Sequence, residues 1–214
     1  MCNVNYEELN NKMDEIFEEY KSFLFNYLDG LKIIDYKRIL ITSILNRSLA
    51  LIEAFKTLLK SNNLMALNSL SRLQIDNCIF IYGISMLIKS GLDIDALGVA
   101  ILSKNKKLSE YKIGKQKLYD TYIISELNKK YGMRIEEMYN FYCRFVHFSD
   151  SAVFSSTQAL DNDTIELALS KDFTRFKKHV KENANSFIEI SKFILLLLKN
   201  EWKDIPNGNN LIKT

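Results

Sequence analysis

Two histidines occur in this chain of 214 residues. Imidazole is the side chain that titrates closest to neutral pH, so acid–base chemistry is sought there first. His147 stands in the run Tyr139-Asn-Phe-Tyr-Cys-Arg-Phe-Val-His-Phe-Ser149. On a helical wheel Ile135, Met138, Tyr142, Phe145 and Val146 share one face, and His147 falls about 120° from Ile135, beside Asn140 and Cys143. There it is either a structural histidine with both ring nitrogens hydrogen-bonded or a general acid/base. Ser149 and Asp150 follow at the expected helix end, and a helix C-terminus beside an acid favours the protonated ring. His179 lies among Lys177 and Lys178 and is expected to be exposed and without a special role.

Arg72 and Asp76 form the second constellation, in Ser71-Arg-Leu-Gln-Ile-Asp-Asn77. Spaced four apart, they meet on one helix flank next to the stripe of Leu64, Leu67, Ser71, Ile75, Cys78 and Tyr82. They read either as an ion pair that orients two helices or as a polar site shared with His147. Gly83, on the same side, leaves room for a second backbone.

Charge is uneven along the chain. Net charge is only +3, but residues 103–117 hold six lysines (Lys104, Lys106, Lys107, Lys112, Lys115 and Lys117) against Glu110 alone. A second basic stretch covers 171–181, whereas 7–19 is acidic. These are solvated faces, or the basic ones attract phosphates or an acidic partner. Cys2, Cys78 and Cys143 are odd in number and far apart, so they make neither a disulfide framework nor a zinc knuckle, and Cys78 reads as a small buried hydrophobe. The first twenty residues are acidic rather than signal-like, and the longest apolar run, Phe193 to Leu198, is far too short to span a bilayer. A cytoplasmic protein without a membrane partner is expected.

The elements that must position these residues are helices. One proline and seven glycines are too few breakers for an all-β sandwich, while 47% apolar and 26% charged residues are ordinary for a globular chain. Apolar spacing predicts helices from about Leu9 to Tyr27, Tyr36 to Lys60, Leu64 to Lys89, Asp93 to Leu102, Tyr119 to Tyr131, Arg134 to Phe148 and Asp172 to Trp202. The lysine-rich stretch reads as a loop. Alternating Ile165, Leu167 and Leu169 after Asn162-Asp163 predict a small β-hairpin within 152–169, and Pro206 opens a frayed tail over 205–214. The expected fold is mainly α: one bundle of long antiparallel helices over 1–204, with a short helical insert and the hairpin.

Three segments together resemble a family of uncharacterised bacterial all-helical proteins: Ser71-Arg-Leu-Gln-Ile-Asp-Asn77, Gly114-Lys-Gln-Lys-Leu-Tyr-Asp-Thr-Tyr122, and Tyr139 through Ser149. The matching residues are Arg72, Asp76, Lys115, Asp120, Tyr142, His147 and Ser149; Cys143 and Tyr119 stand where that family has Ser and Thr. More loosely the chain is similar to HEPN domains, helical bundles that act as metal-independent ribonucleases in defence and toxin systems. Their motif has four to six residues between an arginine and a histidine on one helix, whereas Arg144 and His147 have only two residues between them, so the arginine would have to be Arg72, from another helix.

That resemblance implies RNA binding or cleavage with His147, Arg72 and Asp76 as the catalytic group: His147 as acid/base for the 2′-hydroxyl and Arg72 on the phosphate. Lys104, Lys106, Lys107, Lys115, Tyr142 and Ser149 would then hold the substrate. The alternative is a non-catalytic helical module that binds a protein or small ligand, as an adaptor, antitoxin or sensor, with a second copy of the chain as a further partner. Neither reading needs a cofactor or metal. A metabolic enzyme has least support, because the sequence has no glycine-rich phosphate loop, nucleophile elbow or metal-ligand cluster.

Overall fold

The computed structural model describes residues 5–28, 34–146, 157–159, 165–167, 177–209 and 211. In chain order these form α1 (Tyr6–Leu28), α2 (Tyr36–Leu59), α3 (Leu64–Lys89), α4 (Ile94–Lys104), a 3-10 turn (Leu108–Glu110), β1 (Lys112–Ile113) and β2 (Gln116–Lys117). Then come α5 (Asp120–Tyr131), α6 (Ile135–Val146), β3 (Thr157–Ala159), β4 (Ile165–Leu167) and α7 (Lys177–Glu201). The expected mainly helical bundle is what forms, and the hairpin expected within 152–169 is β3 antiparallel to β4, with Gln158 opposite Glu166. Among the described residues no helix is long and apolar enough to cross a membrane.

Local chemistry sets the helix starts. Asp35 accepts a hydrogen bond from Arg38 N at 2.8 Å, Asn63 from Ala66 N at 3.2 Å and Asp93 from Ala96 N at 2.9 Å. Each satisfies an amide that a helix N-terminus otherwise leaves open. α4 and α5 end on left-handed residues, Asn105 at φ 52° and Gly132 at φ 63°.

α3 is the centre of the bundle, packed against α2, α5, α6 and α7. It is buried almost all round, as a helix with apolar residues on every side must be. The polar residues it carries inside are each met by a neighbour. Asn77 Nδ2 donates to Ser48 Oγ of α2 at 2.9 Å, Gln74 Nε2 to Ser191 Oγ of α7 at 3.0 Å, and Ser85 Oγ to Glu201 Oε2 at 3.0 Å. Such pairs cost little when satisfied and much when slipped by a turn, so they set the register of α2 and α7 on α3. Around them the stripes foreseen in the sequence are buried: Leu9, Met13, Ile16 and Tyr20 of α1; Ile41, Leu45, Ile52 and Phe55 of α2; Val180, Phe187, Ile190 and Ile194 of α7. Phe55 and Phe187 stack with centroids 4.0 Å apart.

The lysine-rich stretch is not a plain loop. Lys112 pairs with Lys117 and Ile113 with Gln116 across Gly114, whose φ of +60° suits glycine. Tyr111 and Leu118 are buried at the base, and Leu118 N bonds Tyr111 O at 3.1 Å. Beyond α7, Ile205 is buried, Asn209 N bonds Asp95 Oδ2 at 2.8 Å, and Leu211 N bonds Ile34 O at 2.8 Å.

Candidate functional site

The three segments singled out in the sequence meet at Arg72. Arg72, 9% exposed, reaches from α3 to the start of α5 and to α6. Nε donates to Cys143 Sγ at 3.1 Å, one terminal nitrogen pairs with Asp76, and the other stands 3.7 Å from Asp120 Oδ2. The guanidinium lies 4.2 Å from the centre of the Tyr139 ring. Tyr139 and Cys143 are one turn apart on α6, and Asp120 is the first residue of α5, so one arginine ties three helices together.

Burial works against the guanidinium charge, but the Cys143 hydrogen bond and the Asp76 carboxylate outweigh it and hold Arg72 protonated well above its ordinary range. Burial pushes the Tyr139 hydroxyl up to about 12, the Arg72 charge acting the other way. Two carboxylates on one arginine leave the cluster with a formal charge of −1. A phosphate would have to displace Asp76 or Asp120 to reach Arg72.

Of the expected site residues, Arg72 and Asp76 are together as foreseen. His147 and Ser149 lie outside the described residues. Tyr142 is not among the residues that meet Arg72: it is buried on the groove side of α6, where burial raises its hydroxyl pKa while Ser186 and Ser71 act against that rise. Lys104, in the last turn of α4, Lys107 and Lys115 are exposed. Lys106 is half-buried, its ammonium 4.1 Å from the centre of the Tyr111 ring. The stretch that holds them ends at Lys117, three residues before Asp120, and its one acid, Glu110, accepts from the Lys107 amide at 2.7 Å. Gly83 receives side chains, Leu108 and Ile123, rather than the second backbone expected there. His179 is exposed, 3.2 Å from Glu182.

Sequence reasoning missed Tyr139 and Cys143 as partners of Arg72, although Tyr139 is one turn before Cys143 and that periodicity was readable. It also missed a groove between α6, α7 and the first turns of α3, a cavity of about 1030 Å³ lined by Asn68, Met138, Phe141, Tyr142, Phe145 and Glu189 among others. Its signal was the strongly amphipathic pattern of α6, of which only Ile135 and Tyr142 are buried. Among the described residues no cluster of His, Cys, Asp and Glu could hold a metal ion. Comparison with protein-family models, curated proteins and solved structures finds no match to this chain.

Proposed function

We propose that the chain binds the phosphate backbone of RNA across its lysine hairpin, with the Arg72 cluster as the structural hub beneath it. The observation that carries this reading is the platform itself. Lys104, Lys107, Lys112, Lys115 and Lys117 are all exposed, and the one acid of the stretch is occupied by a backbone amide. Buried Tyr111 and Leu118 hold the hairpin to the bundle, so the charges are presented on a fixed support rather than a free chain. Tyr119, 49% exposed with Lys117 5.6 Å from its ring centre, offers a stacking surface beside the charges.

The reading supported is binding. Cleavage by a HEPN-like mechanism needs an arginine free to hold the phosphate, and Arg72 is engaged by two carboxylates. In the cleaving version His147 is the acid/base and the product ends in a 2′,3′-cyclic phosphate. One experiment covers both: purified protein with mixed cellular RNA in EDTA, comparing wild type, His147→Ala and the triple variant Lys112→Ala/Lys115→Ala/Lys117→Ala. Binding without cleavage, lost in the triple variant and kept in His147→Ala, is the expected result. Cleavage that His147→Ala abolishes selects the catalytic version, and binding unchanged in the triple variant rejects the platform.

A further inference from the structure

We infer that the groove between α6 and α7 is a binding site for a small organic amine, with its apolar body on the aromatic face of α6 and its ammonium between Asn68 and Glu189. This site is separate from the lysine hairpin and does not rest on RNA binding.

The apolar half is α6. Phe141 is 50% exposed although it packs against both Tyr142 and Phe145, with ring centroids 5.2 and 5.3 Å away. Exposed aromatic surface of this kind, joined by Met138, is uncovered at a cost in the free protein. A cavity of about 1030 Å³ is ample for one drug-sized molecule.

The polar half is a side chain left incomplete inside the bundle. Asn68 is 1% exposed and lines the groove, yet its Nδ2 has no hydrogen-bond partner among the described residues. The reason lies in the network below it. Asn183 Nδ2 donates to Asn68 Oδ1, and Asn183 Oδ1 accepts from Ser71 Oγ at 2.7 Å. Turning both amides over keeps both contacts, with Ser71 donating to Leu67 O at 3.1 Å, and leaves Asn68 Oδ1 open instead. In either arrangement one end of the Asn68 amide is unmet, which costs free energy unless a ligand supplies the partner. A donor-only head such as ammonium selects the arrangement with Oδ1 open.

Charge decides the sign of that head. Of the acids on the groove, Glu137 pairs with Arg134, and Glu182 with Lys178 and His179. Glu189 lines the groove near Tyr142 and makes no ion pair among the described residues. A carboxylate with no ion pair among the described residues, lining the same groove as exposed aromatic rings, attracts an organic cation through charge and ring faces together.

The test uses three molecules that share one apolar body: 4-phenylbutylamine, 4-phenylbutanol and 4-phenylbutyrate, titrated into the full chain by calorimetry and NMR. The amine should saturate at least about tenfold more tightly than the alcohol, with the carboxylate weakest. The Asn68 side-chain amide resonances should shift in step with the amine. Glu189→Gln should bring the amine down to the alcohol, and Phe141→Ala should weaken all three; both positions are exposed, so the fold should survive. Equal affinity for the three, saturation without a shift at Asn68, or an amine preference that survives Glu189→Gln would each overturn the site. So would amine binding that is lost in the hairpin triple variant, which should otherwise match wild type and so keeps this test independent of RNA binding.

Discussion

The Arg72 guanidinium lies over the Tyr139 ring, 4.2 Å from its centre, while its Nε reaches Cys143 one turn further along α6. α6 is thus held to α3 by a cation on an aromatic ring backed by a hydrogen bond. Both contacts use the arginine as a tie between helices.

Asp76→Ala should therefore lower stability by roughly 1–3 kcal/mol, the cost of leaving a buried charged group short of a hydrogen bond. Larger losses follow when a buried pair is broken outright, but Asp120 stands 3.7 Å from Arg72 as a second carboxylate and limits the damage. Glu8→Ala, at an exposed and solvent-screened pair with Lys12, should cost clearly less. Denaturant midpoints of the two variants, measured side by side, check this; equal midpoints contradict it.

At Tyr139 the ring is expected to matter more than the hydroxyl. Tyr139→Phe should stay within about 0.5 kcal/mol of wild type, whereas Tyr139→Ala, which removes the ring under Arg72, should cost about 2 kcal/mol or more. Thermal unfolding of the two variants separates the contributions.

Glu201 should make the stability of the fold sensitive to acid. The carboxylate is fully buried and accepts from Ser85 at 3.0 Å, Lys130 at 2.5 Å, Lys89 and Tyr131, tying the end of α7 to α3 and α5. Burial raises its pKa, but those four donors win and bring it from 4.5 down to about 2. A depressed folded pKa means stability that is complete above pH 4.5 and is lost as pH falls toward about 2. Glu201→Gln should flatten the stability profile over that window and cost roughly 2–3 kcal/mol at pH 7. Urea titrations from pH 2 to pH 7 measure both effects.

Two helical glycines should respond differently to a methyl group. At Gly98 an added Cβ would overlap the Cβ, Cγ and Cδ1 of Tyr36, at the start of α2 where the ring cannot easily retreat. At Gly83 it would meet Leu108 Cδ1 at 2.8 Å, the far end of a flexible side chain. Gly98→Ala should destabilise by about 1–3 kcal/mol, and Gly83→Ala by clearly less. Comparing the two melting temperatures tests the assignment.

RNA affinity should fall steeply with salt. If four of the exposed lysines of residues 104–117 contact phosphates of a single strand, the slope of log K against log salt should be about −3, and each lysine replaced by alanine should reduce its magnitude by about 0.7. A slope near zero, measured by fluorescence anisotropy between low and physiological salt, would remove the electrostatic basis of the proposal.

What the chain discloses before folding depends on how far apart the interacting residues are. The stripe of Leu9, Met13, Ile16 and Tyr20 and the caps at Asp35, Asn63 and Asp93 act within one or two turns, so helix identity and most boundaries were legible. The Arg72–Asp76 pair was legible for the same reason, being one turn apart. The β1–β2 hairpin was not: strands of two residues are too short to show alternation, and what anchors them is the burial of Tyr111 and Leu118.

Only tertiary packing decided which helices supply the partners. Cys143 lies 71 residues from Arg72, and Asn183 lies 115 residues from Asn68. No local pattern encodes such pairs, because each polar group could be satisfied by water or by another neighbour until α6 and α7 close on α3 and exclude both. The sequence alone determined that Arg72 and Asp76 would sit on one helix flank; the packing of α5 and α6 made that flank a three-helix junction in which two carboxylates meet one arginine. It also left the Asn68 amide one partner short among the described residues, at the wall of the groove between α6 and α7.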